Sequence, residues 1–97
     1  MKQANRKHMP LPQRLRVGKR WYSVEVVEAM ANKHEVGRVY YDRQHIELAR
    51  REQNETFWHE LTHAILHDMG ETSLNNDERF VEAFSARLAR AVHTARF

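Results

Sequence analysis

Within ten residues the chain reads Trp58-His59-Glu60-Leu61-Thr62-His63-Ala64-Ile65-Leu66-His67. Two histidines four positions apart on a helix lie about 40° apart around its axis and about 6 Å apart along it, so their imidazoles can converge on one tetrahedral metal ion. Glu60 is offset by roughly 100° from His59 and is badly placed as a third ligand. Its carboxylate can instead accept the proton of a water held at that ion. Zinc lowers the pKa of such a water to about 7, which provides a nucleophile at neutral pH in a chain with no cysteine.

A catalytic zinc takes three protein ligands and keeps one position open. Glu78 and Glu82 sit one turn apart at the start of the next helical segment, and either can reach the ion. Glu78 is preferred, with Glu82 orienting His59 or His63 through the second ring nitrogen. A purely structural explanation competes: if Asn75 caps that helix, Glu78 is the third residue of a capping box and binds only backbone N–H groups. His67, a turn beyond His63, suits a helix end or a place behind the ligands, and Asp77 suits an N-cap. Tyr40, Tyr41, Arg87 and His93 are the candidate oxyanion donors, none of them singled out.

These residues need elements to position them. Phe57, Leu61, Ala64, Ile65 and Leu66 recur with helical period, Asn54 is a possible N-cap, and Gly70 stands where a left-handed stop is expected. From Asp77 onward Phe80, Val81, Phe84, Leu88, Ala91, Val92 and Ala95 predict a second amphipathic helix running nearly to Phe97. Ahead of the helices, Tyr22, Val24 and Val26 alternate with polar residues over Arg20 to Val27. The alternation resumes around Val39 and Tyr41, and again at Ile46 and Leu48, giving about three short strands read as an antiparallel meander. Glu28 to Glu35 is ambiguous between turn and short helix. Strands followed by helices predict an α+β domain with two helices over one face of a small sheet.

At 97 residues the chain holds one small core, which a bound metal would stabilise. The absence of cysteine excludes disulfide frameworks, Cys-ligated zinc fingers and a thiol nucleophile. The apolar runs are too short to span a bilayer and the N-terminus lacks the pattern of a signal peptide, so a cytoplasmic protein is expected, with no membrane partner. Its net charge of +3 is unevenly spread. The first twenty residues carry Lys2, Arg6, Lys7, Arg14, Arg16, Lys19 and Arg20 and no acid, while the remainder carries more acids than bases. Residues 1–17 are therefore read as a basic flexible arm and 18–97 as the domain. Nucleic acid is a possible partner of the arm, though not the favoured one.

The segment from His59 to His67 resembles the HELGHALLH-like motif of the ImmA/IrrE-like metallo-endopeptidases and the minimal gluzincins related to them. Glu78-Arg-Phe-Val81-Glu82-Ala-Phe84-Ser85 is similar to the ExxANxFA segment of that family, with Val81, Glu82 and Ser85 in place of its Ala, Asn and Ala. The resemblance spans roughly Arg20 to Ala91, and only the two helical motifs are specific. It implies a zincin-like fold, Zn²⁺ held by His59, His63 and Glu78, and Glu60 as general base of an endopeptidase. It also implies that an edge strand beside the helix binds a protein or peptide substrate by strand addition, with Val36 to Asp42 and His45 to Ala49 both candidates. The alternative is a zincin-scaffold binding protein with little or no catalysis, in which zinc is structural.

Overall fold

A computed structural model describes residues 10–97; the first nine residues, with Lys2, Arg6 and Lys7 of the expected arm, lie outside the described residues. The fold is α+β, with four strands ahead of the helices: β1 (Arg14–Val17), β2 (Arg20–Val27), β3 (Gly37–Tyr40) and β4 (His45–Ala49). A 3-10 turn over Arg50–Glu52 leads into α1 (Gln53–Met69), followed by the short α2 (Thr72–Asn75) and by α3 (Glu78–Thr94). Among the described residues no helix is long and apolar enough to cross a membrane.

The sheet corrects the expected meander in two respects. It has four strands in the order β1-β2-β4-β3, and β2 runs parallel to β4, with Val24 opposite Ile46 and Val26 opposite Leu48. The other two pairings are antiparallel. β4 is thus inserted between β2 and β3, which pairs both its edges and leaves β3 at the rim of the sheet. The Glu28–Glu35 stretch forms no helix or strand; it is the loop that carries the chain past the β4 position to β3.

The domain also begins earlier than its charge suggests. Arg14–Val17 is a strand rather than part of a flexible arm, paired in register from Arg14↔Ser23 to Val17↔Arg20. Leu15 and Val17 alternate with the arginines and turn inward, and Val17 is buried in the core. The two-residue turn that joins β1 to β2 starts at Gly18, whose φ of 62° glycine adopts without steric cost.

α1 lies across the inner face of the sheet, touching β1, β3 and β4, and α3 packs beside it. Ile46 and Leu48, both fully buried, meet Phe57, Leu61 and Ala64 of α1 together with Tyr22 and Val17. Burying one such side chain contributes roughly 1.5–3 kcal/mol, so a few residues account for much of the stability of so small a core. α1 begins one residue before Asn54, with Glu52 at the cap position and no side-chain cap, because the 3-10 turn feeds straight into it. It ends as expected at Gly70, with φ 75°.

Candidate metal centre

His59 and His63 project from α1 toward the first turn of α3, with ring centroids 5.0 Å apart. The carboxylate of Glu78 lies between them: Oε1 is 3.2 Å from His59 Nε2, and Oε2 is 3.2 Å from His63 Nε2. One ligand atom from each of the three residues falls within 4.8 Å of the others. Glu78 reaches this place because Asp77, not Asn75, caps α3. The Asp77 Oδ1 accepts the backbone N–H of Phe80 at 3.1 Å, so Glu78 is the first helical residue and its side chain is free of any capping box.

The remaining ring nitrogens fix the orientation of both imidazoles. His59 Nδ1 is 2.9 Å from Glu82 Oε1, and His63 Nδ1 is 2.6 Å from Asn75 Oδ1. Neither acceptor donates at that atom, so each Nδ1 is the donor, and in a neutral imidazole this leaves the Nε2 lone pair directed toward Glu78. Two lone pairs facing two carboxylate oxygens repel unless a proton or a cation lies among them. Two imidazole nitrogens and a carboxylate, with their outer atoms already engaged, fit the donor set of a tetrahedral cation site with a fourth position open. Glu78 is 66% exposed, so the open side faces solvent.

Glu60 is buried, its stem packed against β3: a Cβ on Gly37 would collide with Thr56 Cγ2 and lie 3.2 Å from Glu60 Cγ. Burial pushes the Glu60 carboxyl above its ordinary value, partly offset by His59 and His63. Tyr41, at the end of β3, accepts a hydrogen bond from Asn75 Nδ2 at 3.1 Å and stacks on His67 with ring centroids 4.0 Å apart. Burial raises its phenol pKa, against the hydrogen bond from Asn75. His67 thus supports Tyr41 and lies outside the group formed by His59, His63 and Glu78.

The other candidates fall elsewhere. Tyr40 points to the outer face of the sheet, where its hydroxyl donates to Glu47. Arg87 donates to the Ala83 carbonyl one turn back on α3. His93 stands edge-on to Trp58, in a groove of about 770 Å³ between α1 and α3 that opens beside His59. Asn75 was legible in the sequence only as a possible cap. It links His63 to Tyr41, and its hydrogen bond to Tyr41 joins residues 34 positions apart, which no local pattern encodes.

Compared with models of known protein families, with curated proteins and with solved structures, the chain matches none of them.

Proposed function

We propose that the protein is a zinc-dependent endopeptidase in which His59, His63 and Glu78 hold the metal and Glu60 is the general base. The observation that carries this reading is the convergence of both Nε2 atoms on the Glu78 carboxylate, with a buried carboxylate one residue along the same helix. A purely structural metal site has no use for that second carboxylate. The same placement supports membership of the ImmA/IrrE-like family, which the two helical motifs resemble.

Zinc held by His59, His63 and Glu78 would supply Lewis acidity that activates a water toward a peptide carbonyl. Glu60 takes the proton of that water and returns it to the leaving amine. Glu82 and Asn75 hold the two imidazoles in the tautomer that leaves Nε2 free. Tyr41 accepts from Asn75 and keeps its own hydroxyl hydrogen to donate, so it is the group best placed to stabilise the developing oxyanion.

The substrate adds as a strand to β3. Of the two candidate strands, β4 has both its edges paired, whereas β3 has one edge with no neighbouring strand among the described residues and lies against Glu60. Glu60→Gln tests the reading: it keeps the metal and lowers peptide cleavage by about 10²–10⁴-fold. A wild-type protein that holds zinc yet cleaves nothing across a peptide library would favour the binding-protein alternative.

A further inference from the structure

The outer face of the sheet carries no covering layer among the described residues, since α1 lies on the inner face. Strand alternation sends Leu15, Val17, Tyr22, Ile46 and Leu48 inward and Arg14, Arg16, Trp21, His45 and Tyr40 outward. Trp21 is half exposed, at 50%. A single exposed indole is ordinary. This one has two guanidiniums over it, Arg14 Cζ at 4.1 Å and Arg16 Cζ at 5.8 Å from the ring centroid, and neither arginine has an ion-pair partner among the described residues.

A similar pair occupies the opposite edge, where Arg43 Cζ lies 4.1 Å from the Tyr40 ring. Trp21 on β2 and Tyr40 on β3 belong to strands two spacings apart, about 10 Å across the sheet. The acids between them are engaged: Glu25 with His45 at 3.2 Å, Glu47 with the Tyr40 hydroxyl at 3.3 Å. The face thus presents cationic planes stacked on aromatic rings at both ends of a polar strip.

We propose that this face binds single-stranded nucleic acid, with Trp21 and Tyr40 as stacking platforms and Arg14, Arg16 and Arg43 meeting phosphates. Unpaired bases expose the π-faces that an indole and a guanidinium plane accept, and an open sheet admits them where a duplex would keep its bases stacked inside. Charge alone would take any polyanion. Trp21 is the element that requires bases.

The test is fluorescence anisotropy of the full chain with a fluorescein-labelled oligothymidylate of about 15 nucleotides, which leaves the N-terminal charges the same in every variant. Trp21→Ala is expected to weaken binding about tenfold and Trp21→Phe less than threefold. Arg14→Ala/Arg16→Ala is expected to flatten the slope of log affinity against log salt by roughly 1.4. Inorganic polyphosphate of equal phosphate content should compete poorly. Trp21→Ala binding like wild type, equal competition by polyphosphate, no binding by wild type, or a Trp21-dependent preference for phosphatidylserine vesicles would each overturn the proposal. Trp21 lies across the sheet from the helices, so its variants retain the circular dichroism and the metal content of wild type, and the outcome is independent of the peptidase reading.

Discussion

Asn75 Oδ1 lies 2.6 Å from His63 Nδ1, the shortest polar contact around the candidate metal centre, and it ties His63 on α1 to the connection that leads into α3. Removing such an outer partner typically costs 10–100-fold in metal affinity. Asn75→Ala is therefore expected to weaken zinc binding about tenfold or more in a chelator competition while the circular dichroism stays that of wild type. Zinc affinity equal to that of wild type would mean that Asn75 does not orient His63.

Gly37 sets how closely β3 approaches Glu60. In Gly37→Ala the new methyl has no room beside Thr56 and the Glu60 stem, so the strand must shift. Overpacking of this kind costs about 1–3 kcal/mol. The expected outcome is a lower melting temperature and a loss of peptide cleavage larger than any loss of zinc. Unchanged cleavage would show that the spacing between β3 and Glu60 is unimportant.

The strand Arg14–Val17 belongs to the fold, and truncation distinguishes this from the flexible arm that its charge suggests. Deleting residues 1–17 removes a paired strand and the buried Val17, whose burial alone is worth roughly 1.5–3 kcal/mol. We expect a markedly lower urea midpoint. A midpoint like that of the full chain would return β1 to the arm.

Tyr22 gives a pH dependence of known sign. Burial raises its phenol pKa, with Tyr41 and Asp68 adding to the effect and Arg20 opposing it. The folded state therefore favours the neutral phenol. The associated stability is present below the unfolded value of about 10 and is lost as pH rises through the folded value. Urea midpoints between pH 9 and 11 should fall less steeply in Tyr22→Phe than in wild type; equal slopes would contradict the assignment.

The helical half of the molecule was the more legible. Phe57, Leu61 and Ala64 declare their face by period, Gly70 and Asp77 mark their boundaries by chemistry, and the spacing of His59 and His63 needs only helix geometry to converge. The sheet was less so, because the parallel pairing of Val24 with Ile46 joins segments twenty-two residues apart and leaves no local trace. In β1 the signal was present but masked: Leu15 and Val17 alternate as a strand should, between arginines that read as a charged arm. Glu78 illustrates an intermediate case. Its proximity to the histidines was open to inference, while its place in a capping box depended on which neighbour capped α3, and the hydrogen bond that Phe80 N–H donates to Asp77 Oδ1 removes that role.

The most direct test of the central claim is the zinc content of the purified, dialysed protein measured by elemental analysis, beside His59→Ala, His63→Ala and Glu78→Ala. A three-ligand site predicts about one zinc per chain in wild type and a large loss in each variant, accompanied by a lower melting temperature because metal binding is linked to folding. Zinc retained at the wild-type level in any one variant would strike that residue from the site, and no zinc in wild type would contradict the account.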